Sequence, residues 1–242
     1  MSKTAGAELV GAERATHVQQ MFGHIVQRYD LMNLLMTMGR DRAWRRRAVS
    51  LAVPSGALAL DVATGTGDLA IELTRQGAKR VVGVDFCWAM VAAADKKTRR
   101  EVPGETIRLV AGDAMRLPFA DGSFDCLVNG FLLRNVADLA ATLREMARVL
   151  RPGGRLVCLE ITHPKKRWFA AFFGLYFYRL VPLLGWLISS NPDAYYYLPH
   201  SLTHFPDADR LAVTIAQAGF AHVTYRRLGL GTVALHSGIK QP

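Results

Sequence analysis

Cysteine is scarce. Its three residues, Cys87, Cys126 and Cys158, stand far apart in a chain of 242, with no CxxC pair and no ligand pattern around them. That spacing excludes a disulfide framework and a zinc site of ordinary layout, so no metal is expected. Cys126 and Cys158 fall inside apolar, strand-like runs, and buried thiols in a reducing compartment are the expectation. The opening MSKTAGAELVGAERATHVQQ has no apolar core and carries acidic residues. It therefore resembles neither a secretory signal nor an Arg-rich transit peptide, and a cytoplasmic location follows as an expectation. Acidic side chains are in deficit, 20 against 30 Lys and Arg, for a formal charge of +10. The surplus favours an anionic partner, whether nucleic acid, phospholipid surface or acidic ligand, without choosing among them. Internal repeats and low-complexity tracts are missing.

Half of the residues are hydrophobic, enough for one sizeable α/β domain and too few residues for two enzyme domains. Residues 14–50 have apolar positions, among them Val18, Met21, Phe22 and Ile25, at helical spacing, followed by a basic run from Arg40 to Arg47. They read as an N-terminal helical cap spanning 1–50, with the main domain over 51–242. From Ala57 the pattern becomes short β-branched runs separated by helical stretches. Strands are predicted at 58–63, 80–85, 106–112, 124–130 and 155–161, and helices at 68–77, 87–100 and 138–150. The last helix ends at Arg151-Pro152-Gly153-Gly154, a stop followed by a turn. Five alternating strands imply a doubly wound, Rossmann-like parallel sheet. A helix at 207–218 and the strands HVTYRRL and GTVALH add an antiparallel C-terminal edge, giving seven strands in all.

Within this frame the loop from Asp61 to Asp68 joins the first strand to the first helix. Gly65-Thr66-Gly67 bring backbone N–H groups and a helix N-terminus together where a ligand can sit. A strand-to-helix turn needs glycine in many folds, so the pair alone is weak. Asp85 ends the second strand twenty residues after Gly65, where a doubly wound fold places a carboxylate for both ribose hydroxyls. Asp113 and Ala114 follow the third strand, near the position for an adenine ring; a turn or cap is the other reading of Asp113. A dinucleotide fingerprint wants a third glycine where this chain has Ala70, and Asp68 at the loop end would repel a pyrophosphate but suit a sulfonium and ammonium. These features, with the antiparallel edge, favour S-adenosylmethionine over nicotinamide, in a class I methyltransferase.

Several blocks, in order, then match a known pattern: Arg28-Tyr29-Asp30-Leu31-Met32-Asn33 with MGRDRAWRR, DVATGTGDLA, LPFADGSFD, Leu133-Arg134-Asn135, LREMARVLRPGGRL and GTVALHSG. Over about residues 20–240 the chain resembles the quinone-biosynthesis C-methyltransferases, which act on demethylmenaquinol and on the polyprenyl benzoquinol precursor of ubiquinone. The glycine loop and RPGG occur across methyltransferases; RYDLMN, LRN and the terminal VALH are more particular. The resemblance implies adenosylmethionine as cofactor, a prenylated hydroquinone as acceptor, and cofactor contacts at Thr66, Asp85, Asp113 and Ala114. The chain departs from the pattern at Gly130, where some members carry serine, and at Leu132, where glycine is usual. It departs again at Asp193-Ala194-Tyr195-Tyr196-Tyr197, which lacks an Arg and, further on, a Glu. Leu132, Tyr195 and Tyr197 are accordingly candidate acceptor contacts.

A hydroquinone carbon becomes nucleophilic when a neighbouring phenol loses its proton. Arg134, just past the fourth strand, is the candidate to stabilise that phenolate, with Asn135 fixing orientation; a surface ion pair is the other reading of Arg134. Tyr29 and Asn33, four apart, share a helix face and could close over the site. His163, His200 and His204 are candidate bases without an assigned role, and His236 reads as structural.

Trp168 to Ile188 approaches the length of a membrane span, but Arg179 and Pro182 interrupt it, and a span would separate the final strands from their sheet. The insertion, about 164–205, reads instead as a lid or interfacial segment flanked by Lys165-Lys166-Arg167, which implies peripheral membrane contact, on the inner face. A buried helix pair or a homodimer interface is its other reading. No Asn/Asp-Pro-Pro-aromatic run or RNA-binding module appears, so nucleic acid is not an expected partner. Another small aromatic, phenolic or polyketide acceptor, or a non-catalytic scaffold in a membrane complex, are the competing functions.

Overall fold

The apolar run LALDV forms the central strand β1 (Leu58–Val62), and its neighbours build outward on both sides. A computed structural model describes residues 11–52, 55–104, 106–165, 169, 173–176, 179, 181, 183, 197, 201–203 and 205–242. Three helices come first: α1 (Gly11–Ile25), α2 (Tyr29–Thr37) and α3 (Arg40–Ala52), with a 3₁₀ turn at Val26–Arg28 between the first two. Then follow α4 (Asp68–Arg75), β2 (Arg80–Asp85), α5 (Trp88–Glu101), β3 (Ile107–Ala111), β4 (Phe124–Gly130), α6 (Leu139–Val149) and β5 (Leu150–Ile161). The chain ends with α7 (Ala208–Gln217), β6 (Phe220–Leu228) and β7 (Val233–Lys240).

The sheet has seven strands in the order β3-β2-β1-β4-β5-β7-β6. The first five pair in parallel, whereas β7 runs antiparallel to both β5 and β6. Strand order reverses between β1 and β4, so their carboxyl ends open a crevice at the switch point, where ligands of open α/β sheets bind. Alternation sorts the side chains: Leu60, Val62, Leu127 and Leu156 face one core with Val18, Met21, Ile25 and Met32 of the N-terminal helices. Ala59, Cys126, Val128 and Val157 face the other, against Ala48, Val49, Leu69 and Leu73. Asp138 and Asp207 cap α6 and α7 by accepting from Ala141 N and Arg210 N.

Two local readings change. The stretch 14–50 is not one continuous run: Met38 adopts a left-handed φ of 51°, and Gly39 N donates to Leu34 O at 2.8 Å, ending α2 and turning the chain into α3. The RPGG segment does follow the end of a helix, but it already belongs to β5, whose pairing with β4 shifts register between Phe124 and Cys126. Among the described residues no helix is long and apolar enough to cross a membrane. Most of the insertion, with Lys166, Arg167, Tyr195, His200 and His204, lies outside them.

Candidate active site

At the carboxyl ends of β1, β2 and β4 lies a cleft of about 820 Å³, its open mouth included. Gly65, Asp85, Asp113 and Ala114 line it, together with Phe86, Met90, Gly112 and the segment Gly130 to Leu132. Gly65 and Gly67 have φ of +56° and +89°, and a Cβ on Gly67 would stand 3.0 Å from Thr98, so the loop turns tightly against α5 only with glycine there. The Asp85 carboxylate accepts from Gly65 N and Cys87 N, each at 2.9 Å. Burial raises its pKa against those backbone donors. A carboxylate has about four acceptor positions, so these backbone donors do not exhaust it. Asp113 shows both of its expected features: its Oδ1 accepts from Met115 N at 2.9 Å in a turn, and it lines the cleft.

Three loop residues stand behind this wall rather than in it. Asp61 is fully buried, accepts from Thr64 Oγ1 at 2.7 Å, and keeps Oδ1 without a partner. Burial pushes its pKa up to about 7. Thr66 turns its hydroxyl to Asp30 Oδ1 of α2, at 2.6 Å. Gly67 caps α4. Asp68, expected to meet the ligand at the loop end, is instead turned away from the cleft, its carboxylate held by Lys97 at 2.6 Å and Arg45 at 3.3 Å. Burial opposes its ionisation, but the two cations hold its pKa below the usual range. Asp68 therefore cannot discriminate between a pyrophosphate and a sulfonium.

A second cavity, about 970 Å³ with its mouth, adjoins the first and shares Phe22, Tyr29, Phe131 and Asn135 with it. Its walls are mainly apolar, including Met21, Ile25, Met32, Met36, Trp44, Phe173 and Val181. Into it project Tyr29, Asn33, Arg134, Asn135 and Tyr197. Four buried polar atoms of this group have no hydrogen-bond partner: Asn33 Nδ2, Arg134 Nε, Asn135 Oδ1 and Tyr197 Oη. Buried polar atoms are normally satisfied, so four such atoms on the residues lining one cavity are an unusual concentration of unmet hydrogen bonds. Leu132 lies on the first cleft instead of the second.

Arg134 is not on the surface. It is 5% exposed and pairs with Glu160, itself fully buried near the end of β5. Nη1 also donates to Phe131 O at 3.1 Å. These partners fix the guanidinium plane and leave Nε unpaired. Tyr29 is enclosed; burial raises its pKa above 10.0, with Arg45, Asn33 and Arg134 opposing. Its hydroxyl is thus a neutral donor near neutral pH, not a base. The one candidate histidine among the described residues, His163, is exposed and lines neither cavity, and His236, read as structural, bonds Ala208 O at 2.9 Å.

Sequence reasoning missed Glu160, Phe131 and Asp30. An acidic residue inside the apolar run RLVCLEI was a signal for Glu160. Phe131 carries a left-handed φ of 60°, strain that sequence does not display. Asp30 joins α2 to the loop through Thr66 and Lys97, a long-range pairing without a local signature.

The strand order, switch-point cleft and acidic end of β2 define a class I methyltransferase. A solved SAM-dependent methyltransferase of Thermotoga maritima superposes with a TM-score of 0.66, covering 92% of this chain and 99% of that one at 19% identity, which shows the fold. Residues 10–240 match the model of the ubiE/COQ5 methyltransferase family, and the chain belongs to that family. The demethylmenaquinone methyltransferase of Roseiflexus castenholzii is 46% identical over 95% of both chains. That of Thermus thermophilus is 47% identical over 90% of this chain and 99% of its own. The protein is an S-adenosylmethionine-dependent methyltransferase.

Proposed function

We propose that the protein methylates a ring carbon of demethylmenaquinol, a prenylated hydroquinone, in menaquinone biosynthesis, with S-adenosylmethionine in the cleft over Gly65 and Asp85. One observation carries the acceptor assignment: an apolar cavity, lined by four residues that carry unpartnered polar atoms, shares a wall with the cofactor cleft. A fused ring with two hydroxyls satisfies such donors and acceptors while its hydrocarbon fills the rest. The relatives named for demethylmenaquinone support the naphthoquinol. The cofactor reading is supported by the Asp85 carboxylate at the cleft wall, whose spare acceptor capacity suits ribose hydroxyls, and by the left-handed turn at Gly65 beside it. S-adenosylmethionine supplies a methyl group on a positively charged sulfur when bound.

The chain's own residues supply alignment and electrostatics. Arg134 Nε faces the oxygen whose lost proton activates the ring. Tyr29, at the junction of the cavities, donates its hydroxyl and bars water. Asn33, Asn135 and Tyr197 fix the ring, and Met36, Trp44, Phe173 and Val181 offer a path for the tail. Collecting so apolar a substrate implies peripheral contact with the inner face of a membrane. The test offers labelled cofactor to demethylmenaquinol, a polyprenyl benzoquinol, an untailed phenol and RNA. Transfer should favour the naphthoquinol; equal or better transfer to the phenol or RNA would overturn the assignment.

A further inference from the structure

Helix α2 is apolar on two sides. Tyr29, Met32, Asn33 and Met36 face the acceptor cavity. On the opposite side Leu31, Leu34, Leu35 and Met38, spaced i, i+3, i+4 and i+7, are 47%, 36%, 40% and 80% exposed. The helix is also tied to the insertion, where the Tyr176 hydroxyl donates to Met36 O at 2.8 Å.

The adjoining charges are basic. Arg40, Arg42, Arg46 and Arg47 of α3 are exposed, and among the described residues none of them is in an ion pair. Leu31 and Leu34 share a wide surface cleft with Arg42, Arg46, Arg75 and Arg100, so leucines and arginines form one continuous face. The acids there are already engaged: Asp30 and Asp68 by Lys97, Asp41 by Arg45, and Glu101 by Arg75 and Arg100. Glu72 accepts from Gln76 at 2.7 Å. Glu72 keeps its charge beside the neutral Gln76, so six cations face five carboxylates in the cleft, and Arg42 and Arg46, outside any ion pair among the described residues, tip it to a net positive charge.

We infer that this α2–α3 face docks on an anionic phospholipid bilayer, with Leu31, Leu34, Leu35 and Met38 entering the acyl boundary and Arg42 and Arg46 meeting headgroup phosphates. The inference deepens the quinol reading, since the helix that meets the lipid also walls the acceptor cavity. It differs from docking through the basic residues before the insertion, of which Lys165 is held by Asp209 at 2.9 Å.

The test is sedimentation of the full chain with substrate-free vesicles of phosphatidylglycerol and phosphatidylcholine, or of phosphatidylcholine alone. The wild type should bind the anionic vesicles, and bind less as salt rises. Arg42→Ala with Arg46→Ala should weaken binding by roughly twenty-five-fold, at about five-fold per arginine near such a surface. Leu31→Ser with Leu35→Ser and Met38→Ser should abolish it. Circular dichroism and turnover of a short-tailed quinol in detergent should stay at the wild-type level, which separates docking from folding and from the substrate assignment. Wild-type binding by both variants overturns the inference. So does a concentration-dependent dimer that the serine variant dissociates without any vesicle binding, since the face would then meet a second copy.

Discussion

In the proposed chemistry Arg134 can serve only because Glu160 holds it. A buried arginine without its acid, or the acid without its arginine, costs about 3–5 kcal/mol, so truncating either confounds function with folding. Arg134→Lys keeps the charge but loses the fork and Nε; it should lower kcat by roughly 10²–10³-fold, the scale for one oriented oxyanion donor, with cofactor affinity within about twofold. Glu160→Gln keeps the shape and releases the guanidinium plane, and it should lower kcat in the same direction. Wild-type kcat for both variants would remove Arg134 from the chemistry. Asp61 gives a second prediction, in stability. Its pKa rises from 3.8 to about 7 on folding, by burial. The stability it contributes is therefore complete below about 3.8 and is lost as pH rises through about 7, on the order of 4 kcal/mol. Asp61→Asn should flatten that decline, seen as urea midpoints at pH 5 and pH 8 that lie closer together than in the wild type.

At the level of elements, the N-terminal helices are fastened to the cofactor loop. Asp30 of α2 accepts from Thr66, and Lys97 of α5 bridges Asp30 and Asp68, each contact at 2.6 Å. Val18, Phe22 and Tyr29 wall the cofactor cleft, so this latch keeps the wall in place. Asp30→Ala should raise the cofactor KM by about tenfold, as expected for loss of charge-assisted hydrogen bonds, while kcat at saturation changes little. An unchanged KM would show that the wall stands without the latch. The strands and the helices between them were legible because burial imposes a period that composition displays. The breaks among α1, α2 and α3 were not, since a left-handed methionine before Gly39 carries no compositional mark. Partners such as Glu160 for Arg134 and Asp30 for Thr66 were hidden for another reason: they are 26 and 36 positions apart, and only the fold brings them together.

For the whole molecule, the switch point of the sheet and the three N-terminal helices define two cavities with a shared wall of Phe22, Tyr29, Phe131 and Asn135. One is suited to a polar nucleoside and the other to a hydrophobic ring with oxygens, which is the arrangement a methyl transfer between them needs. Gly65, Asp85, Asp113 and Ala114 were readable as the first cavity; the second was readable only in part, through Tyr29, Asn33, Tyr197 and the LRN block, because its apolar wall is gathered from Met21, Met36, Trp44 and Val181, scattered positions without a local signature. The account turns on where the methyl group lands. Incubation with carbon-13 methyl-labelled S-adenosylmethionine and demethylmenaquinol, followed by carbon NMR of the product, should show the label as a methyl on the ring carbon. A label in a methyl ether, or no label in the quinol at all, would contradict it.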